Sequence, residues 1–215
     1  MTVYAKICGL STADGVAAAV GGGAAFVGFV FYAKSPRAVT PEQAGALGRL
    51  VPASVGKVGL FVDETNDRIA EVLAAAPLDL LQLHGSETPA RVAEIRARYR
   101  VPVMKALSVA DAEDIDAAAP FAEVADWLMF DAKPPKEKPD ALPGGNALSF
   151  DWRLLAGRRW PRPWMLAGGL DADNVAEAVR ISGAGYVDVS SGVEDLPGRK
   201  NPEKISAFLA AVRRL

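Results

Sequence analysis

The sequence predicts a (βα)8 barrel, an α/β fold in which eight parallel strands alternate with eight helices. Short apolar runs rich in β-branched and aromatic residues alternate with alanine-rich stretches of helical period along the whole chain. No linker or change of composition marks a boundary, so residues 1–215 are expected to form a single domain. Eight such units in this length leave about 27 residues per unit, the compact end of the range for this fold.

The elements follow from hydrophobic period and capping residues. The predicted strands are 3–8, 25–31, 57–62, 78–83, 102–107, 127–130, 164–167 and 185–189. The predicted helices are 13–20, 41–50, 66–75, 89–99, 111–118, 152–156, 171–181 and 202–213, with Asp14, Thr40, Thr65, Thr88 and Asp171 as caps or first-turn acids. A doubly wound open sheet is the alternative fold, and the strand count favours the barrel.

Composition excludes several classes of protein. The 24 basic and 26 acidic residues give a net charge of -2 with no charged block, which argues against a nucleic-acid or membrane-surface partner and for a small-molecule one. One cysteine and one histidine cannot build an ordinary zinc site or an internal disulfide. The amino terminus lacks a signal-peptide pattern, and the longest apolar run, 24–33, is too short for a membrane span. We therefore expect a cytoplasmic protein.

Polar residues stand at the carboxyl ends of several predicted strands, where barrels of this type place their chemistry. Cys8 ends the first strand, Gln82 and His84 flank the end of the fourth, Asp131 follows the sixth, and Asp188 lies near the end of the eighth. Because the strands are parallel, all of these side chains should converge on one mouth. A long connection at 131–149, rich in proline, glycine and lysine, is predicted to be a lid over that mouth.

Two glycine-containing loops predict a phosphate site. LAGGLDADNV (166–175) and VDVSSGVE (187–194) each run from a strand into a tight turn and then toward a helix, the second of which would be a short extra one. Backbone amides after strands seven and eight, with a short helix, form a recurring phosphate site in such barrels. Neither loop has the spacing of a dinucleotide-binding fingerprint. The candidate phosphate-binding residues are Gly168, Gly169, Ser190, Ser191 and Gly192.

Each remaining candidate has an ordinary structural interpretation as well. Cys8 could be a small buried hydrophobe, but alternation in a strand places Lys6 on the same face, where a cation is expected to lower the pKa of the thiol. Asp131 could be a helix cap or a loop acid, and His84 a structural group or one at the edge of the substrate. Arg37 could be an exposed cation or a fork that grips a carboxylate.

Taken together, the motifs resemble those of the phosphoribosylanthranilate isomerase family of tryptophan biosynthesis nearly end to end. The segments that carry the resemblance are KICGL, GFVFYAKSPRAVTPEQA, VGLFVDE, LLQLHGSE, PGGNALSFDW, LAGGLDADNVAEAV and VDVSSGVEDLPGRKNPEKISAFL. The resemblance implies a (βα)8 barrel that converts N-(5'-phosphoribosyl)anthranilate into 1-(2-carboxyphenylamino)-1-deoxyribulose 5-phosphate. This Amadori rearrangement needs no cofactor, and the partner it implies is a phosphorylated small molecule.

The resemblance also implies roles for particular residues. It places the general base on Cys8, the general acid on Asp131 and the anthranilate-binding arginine on Arg37, with Asp188 near the substrate's amine. Gln82 and His84 in QLHG are expected to contact the substrate as well. The sequence leaves the oligomeric state open between a monomer and a homodimer.

One segment departs from the family pattern. The chain reads GGNALSFDW at 144–152, where the family often has GGTGKTFDW, so a lid contact is expected to differ. Two other functions are considered. The related histidine-pathway isomerase has an aspartate at the position of Cys8, and a catalytically silent phosphate-binding barrel would not need both Cys8 and Asp131.

Overall fold

A computed structural model of the chain describes residues 2–133, 144–145 and 148–215. Eight parallel strands form a closed barrel in chain order, and β1 pairs with both β2 and β8. The strands are β1 Tyr4–Cys8, β2 Phe26–Val30, β3 Gly56–Phe61, β4 Leu80–Leu83, β5 Val103–Val109, β6 Trp127–Ala132, β7 Trp164–Leu166 and β8 Tyr186–Val189. Closure between β1 and β8 confirms the predicted barrel and rules out the open sheet.

Helices surround the barrel, mostly where the sequence predicts them. They are α1 Ala13–Gly21, α2 Pro41–Gly48, α3 Asn66–Ala75, α4 Pro89–Tyr99, α5 Ala112–Asp116, α6 Ala119–Val124, α7 Val175–Ser182 and α8 Pro202–Val212. The hydroxyls of Thr40, Thr65 and Thr88 each accept a hydrogen bond from the backbone N–H three residues on, as their prediction as caps requires. None of the helices in the described ranges is long and apolar enough to cross a membrane.

Three helical predictions need correction. The helix predicted at 111–118 ends at Asp116, and a separate helix that was not predicted, α6, begins at Ala119, because Pro120 fits the first turn of α6 but could not continue α5. The helix predicted at 171–181 begins only at Val175, since the Asp171 carboxylate accepts the backbone N–H groups of Asp173 and Asn174 and holds a turn there. The segment predicted as the sixth helix is a 3-10 helix, Trp152–Leu155.

A two-stranded hairpin that the sequence analysis did not predict follows β8. Its strands are β9 Glu194–Leu196 and β10 Arg199–Lys200, and they pair antiparallel. Gly198 at its turn has φ +85, and a Cβ there would collide with the carbonyl oxygen of Pro36 in the loop after β2. The hairpin therefore lies directly on the loop that carries Arg37.

The interior of the barrel is apolar at one end and polar at the other. Between the two ends lies an inner apolar cluster of strand residues and Ala167, which directly follows β7, with aromatic side chains packed against it; it consists of Val58, Leu80, Met104, Ala106, Met129, Met165 and Ala167. Ala5 and Ile7 of β1 pack outward with the helices, whereas Lys6 is fully buried. The predicted alternation of β1 is therefore confirmed, and Lys6 and Cys8 face the inside of the barrel.

Candidate active site

The predicted polar residues converge at the carboxyl end of the barrel, as expected. One pocket there is lined by all six of the side chains proposed for catalysis and substrate binding: Cys8, Arg37, Gln82, His84, Asp131 and Asp188. A second hollow adjoins it and shares Asp131 and Asp188 while reaching Gly168, Gly169 and Ser191. The two hollows form one site with Arg37 and Tyr32 in the lining of one part and the glycine loops in the lining of the other.

Cys8 lies beside a buried ion pair. The ammonium of Lys6 donates a hydrogen bond to Asp188 Oδ1 at 2.8 Å, and the two residues are opposite each other in the register of β1 and β8. Burial by itself would lower the pKa of Lys6, but the Asp188 carboxylate and Cys8 outweigh it and raise the pKa. Lys6 therefore remains a cation beneath the thiol.

Lys6 acts to lower the pKa of Cys8, as expected, but the expected net lowering is wrong, because the pKa of the thiol is raised overall. Burial raises the pKa of the Cys8 thiol, and the lowering by Lys6 is smaller and is opposed by the carboxylate of Asp188. The sequence places Lys6 next to Cys8, but it does not show that Asp188 of β8 pairs with this lysine. The raised pKa keeps Cys8 in its thiol form at neutral pH.

Gln82, His84 and Asp131 form a chain of hydrogen bonds. Gln82 Nε2 lies 2.9 Å from His84 Nδ1, and His84 Nε2 lies 3.1 Å from Asp131 Oδ2. Since the amide N–H can only donate, Nδ1 accepts and Nε2 carries the proton that points at the carboxylate. Asp131 Oδ1 accepts the backbone N–H of Ala132 at 2.8 Å. Asp131 is thus a strand residue aimed into the pocket, and not a helix cap or a loop acid.

Arg37 is held by residues that the sequence analysis did not single out. Its Nε and Nη2 donate to the two carboxylate oxygens of Glu194, both at 2.8 Å, and Nη2 also reaches the carbonyl of Gly145 at 3.2 Å. Glu194 Oε1 accepts a further bond from Lys200 at 2.7 Å. Gly9 has φ +77, and a Cβ there would meet Arg37 Cδ at 2.7 Å, so this glycine makes room for the arginine.

Glu194 and Lys200 could have been found from one signal. They flank the sequence DLPGR, in which Pro197 and Gly198 are typical of a tight turn between two strands. Recognising the hairpin would have placed both charged side chains at the mouth.

The glycine loops present backbone amides to the adjoining hollow. Gly168 and Gly169 have φ +90 and +64, a conformation that side-chain-bearing residues rarely adopt, and a Cβ on Gly192 would collide with the carbonyl of Leu170. A short 3-10 helix, Ser191–Val193, follows β8 where a short extra helix was predicted. Among the described residues, the amides of Gly169, Ser191 and Gly192 donate to no protein acceptor. These groups are available to an anion.

Part of the predicted lid covers the pocket. A Cβ on Gly144 would meet Asp131 Oδ2 at 2.6 Å and His84 Cε1 at 2.8 Å, so the backbone here rests on the proposed acid. The remaining lid residues, 134–143 and 146–147, lie outside the described residues. Within the described ranges, no group of three His, Cys, Asp or Glu side chains is arranged to hold a metal ion.

Comparison with known proteins agrees with this geometry. Residues 5–211 match the family described as N-(5'-phosphoribosyl)anthranilate (PRA) isomerase. The N-(5'-phosphoribosyl)anthranilate isomerase of Rhodospirillum centenum is 58% identical over 215 residues, covering 100% of both chains. The crystal structure of phosphoribosyl anthranilate isomerase from Thermotoga maritima superimposes with a TM-score of 0.88 at 35% identity over 100% of both chains. A phosphoribosyl anthranilate isomerase in complex with reduced 1-(o-carboxyphenylamino)-1-deoxyribulose 5-phosphate gives 0.84 at 33% identity, again over 100% of both chains. The chain therefore belongs to the N-(5'-phosphoribosyl)anthranilate isomerase family.

Proposed function

We propose that the chain isomerises N-(5'-phosphoribosyl)anthranilate to 1-(2-carboxyphenylamino)-1-deoxyribulose 5-phosphate, with Cys8 as the general base and Asp131 as the general acid. The observation that carries the proposal is that one pocket holds a thiol and a carboxyl group on non-adjacent strands, between unused backbone amides and a fixed arginine. A related isomerase is described in complex with a reduced form of this product, which supports the choice of substrate.

The substrate's two anionic ends match the two ends of the site. Its phosphate lies against the amides of Gly169, Ser191 and Gly192, with Gly168 and Ser190 shaping the turns that carry them. Its anthranilate carboxylate lies against Arg37, whose Nη1 has no hydrogen-bond partner among the described residues. The ribose then lies between Cys8 and Asp131.

Catalysis requires two proton transfers at the ribose. Protonated Asp131 gives its proton to the ring oxygen, the bond from C1' to that oxygen breaks, and the amine lone pair forms an iminium. The iminium acidifies C2'–H, and the Cys8 thiolate removes that proton to give an enolamine, which tautomerises to the ketone. The cycle starts with one shared proton on Asp131 and ends this half with one on Cys8. It closes when the Cys8 thiol protonates C1' of the enolamine and the Asp131 carboxylate takes the proton of the enol hydroxyl at C2', which gives the ketone and restores both groups. The substrate's own iminium is the electron sink.

Neighbouring groups hold the acid and the base in place. The His84 Nε2–H bond orients the Asp131 carboxyl group, and Gln82 fixes the histidine tautomer by donating to Nδ1. Asp188, held by Lys6, faces the amine of the substrate. The cationic iminium opposes the effect of burial on Cys8 at the step that needs the thiolate.

The test is a fluorescence assay of the purified protein. Loss of the anthranilate-substrate signal is expected without any added metal or cofactor. A chain that shows binding of the substrate but no loss of it would be a silent phosphate-binding barrel, and the proposal would be wrong. The matched control is the same protein after alkylation of Cys8, which is expected to be inactive.

We further propose that the chain acts as one domain in the cytoplasm, as a monomer or a homodimer. A single cysteine that is used as a base suits a reducing compartment.

A further inference from the structure

We infer that Lys200 is a positioning residue that joins the two anion-binding ends of the pocket and fixes the distance between them. The inference rests on the proposed placement of phosphate and carboxylate. It makes Lys200 a determinant of specificity for a substrate that carries both anions.

Lys200 makes three hydrogen bonds that span the site. Its ammonium donates to the carbonyl oxygen of Ser190 at 2.9 Å, to Ser190 Oγ at 3.2 Å and to Glu194 Oε1 at 2.7 Å. Its side chain is 2% exposed, so these bonds are made away from water. Ser190 begins the loop that presents the amides of Ser191 and Gly192, and Glu194 holds Arg37. The Lys200 ammonium therefore contacts both the residue that begins the phosphate-binding loop and the carboxylate that holds Arg37.

The buried charges of Arg37, Lys200 and Glu194 together favour the binding of an anion. Arg37 and Lys200 share the single carboxylate of Glu194. Burial lowers the pKa of Lys200 and Glu194 opposes this, and with both cations charged the three buried groups carry one net positive charge. Burial tends to raise the pKa of Glu194, but its bonds to Arg37 and Lys200 outweigh this and lower it, so it remains ionised. An uncompensated buried cation is unfavourable, and the substrate's anionic groups compensate it.

The hairpin that carries Lys200 is fixed to the rest of the mouth at both ends. Its turn at Gly198 lies against Pro36, next to Arg37. At its start, the carbonyl of Glu194 accepts a bond from Lys204 of α8 at 2.7 Å. The positions of Ser190 and Arg37 relative to each other are therefore set by the hairpin and by the lysine that bridges it.

The experiment uses two competitive inhibitors that each occupy one end, anthranilate for the carboxylate end and inorganic phosphate for the other. Lys200→Met is expected to weaken inhibition by both, each by about tenfold, because each end loses a support made by a charged hydrogen bond. Arg199→Met is the matched control. It removes a cation from the adjacent residue, whose side chain is 70% exposed, and should leave both inhibition constants unchanged.

Two further variants separate failure of this inference from failure of the placement it rests on. Arg37→Met should weaken inhibition by anthranilate only, and Gly169→Val inhibition by phosphate only. If Arg37→Met does not change the inhibition constant of anthranilate, or Gly169→Val that of phosphate, the proposed placement is wrong and the inference falls with it. If Arg37→Met and Gly169→Val behave as expected but Lys200→Met changes one inhibition constant or neither, only the link through Lys200 is refuted.

A merely structural lysine would give a different result. Its loss would lower the melting temperature while leaving both inhibition constants of the folded protein as they are, and that outcome overturns the inference. If Lys200→Met does not fold, Lys200→Gln replaces it, because the amide can donate to Ser190 or Glu194 but lacks the ammonium's reach and charge. The same pattern is then required: both inhibitors weakened, and Arg199→Met unchanged.

Discussion

Two barrel strands, β1 and β5, each carry a buried lysine that pairs with a carboxylate, yet the surroundings of the two pairs differ. Lys6 lies inside the barrel, 2.8 Å from Asp188, with the thiol of Cys8 as its other polar neighbour. Lys105 on β5 lies 2.7 Å from Glu87 and faces the helices, since Val103 and Leu107 on the same face belong to the outer core. The two pairs are similar in distance and burial but not in what else they contact.

The Lys105 pair is a closed network. Lys105 also donates to the carbonyl of Gly85 at 2.6 Å, and the two oxygens of Glu87 accept the backbone N–H groups of Asp63 and Gly85. These bonds fix the loop directly after His84. Lys6, by contrast, bonds to only one oxygen among the described residues, that of Asp188. The Lys105–Glu87 pair, whose hydrogen bonds are made to backbone groups, supports a loop. The Lys6–Asp188 pair keeps an ammonium N–H free beside the Cys8 thiol among the described residues, so it can influence the chemistry.

The largest effect is expected from a change that leaves both pairs intact. Asp131→Asn removes the proton donor but keeps the shape of the side chain, so turnover should fall by about a hundredfold to ten-thousandfold while KM stays nearly unchanged. Steady-state kinetics measure this, and thermal unfolding should show a stability close to that of the unmodified protein. A large rise in KM with little change in kcat would make Asp131 a binding residue.

Breaking the Lys105–Glu87 pair, which faces the helices, should lower the stability of the protein and leave its chemistry unchanged. Lys105→Met leaves the Glu87 carboxylate buried without its cation and should lower the free energy of unfolding by about 3–5 kcal/mol. Lys133→Met, which removes a partly exposed partner of Asp114, is the control and should cost about 0–1 kcal/mol. Denaturant unfolding gives both values. A turnover number that falls more than stability explains would show that this pair too takes part in the reaction.

Breaking the Lys6–Asp188 pair inside the barrel (the inner pair) should change the pH dependence of turnover. Burial already raises the pKa of Cys8, and the charge of Lys6 is the largest influence that lowers it, so Lys6→Met should raise it further. The thiolate fraction at neutral pH then falls, and turnover should fall by about tenfold to hundredfold and recover as the pH rises. The rate of Cys8 alkylation against pH reports the shift directly. The same profile in Lys105→Met should match the unmodified protein, and an unshifted profile in Lys6→Met would refute the tuning role.

A smaller effect is expected from Gly28 on β2, which faces the inner pair. A Cβ there would lie 3.2 Å from both Cys8 Sγ and Lys6 Cε. Gly28→Ala should therefore displace the thiol slightly and lower turnover by a few fold. Gly48→Ala in α2, where the nearest atom would be Lys57 Cδ at 3.6 Å, is the control and should leave turnover unchanged. Equal activity in the two variants would mean that the inner pair tolerates the displacement.

Much of the fold and of the site followed from local signals. Strand alternation placed Lys6 and Cys8 on the inner face, and the parallel barrel made the strand-end residues Gln82, Asp131 and Asp188 converge. These predictions succeeded because period and position along the strand decide both which side a residue faces and which end of the barrel it occupies.

The partners of these residues could not be derived in the same way. Asp188 pairs with Lys6 across 182 positions, and Glu194 with Arg37 across 157, so each pairing depends on how distant strands and loops meet. The pKa of Cys8 was misjudged for this reason: a neighbouring cation was visible in the sequence, but the competing carboxylate and the depth of burial were not.

The central claim is that the thiol above the Lys6 pair is the base of the reaction. The most direct test is the turnover number of Cys8→Ala, measured beside the unmodified protein with circular dichroism to verify folding. A fall of about a hundredfold to ten-thousandfold, with KM nearly unchanged, is the predicted result. A folded Cys8→Ala protein that keeps more than about half of the normal turnover would contradict the account, because losing a general base costs far more than that.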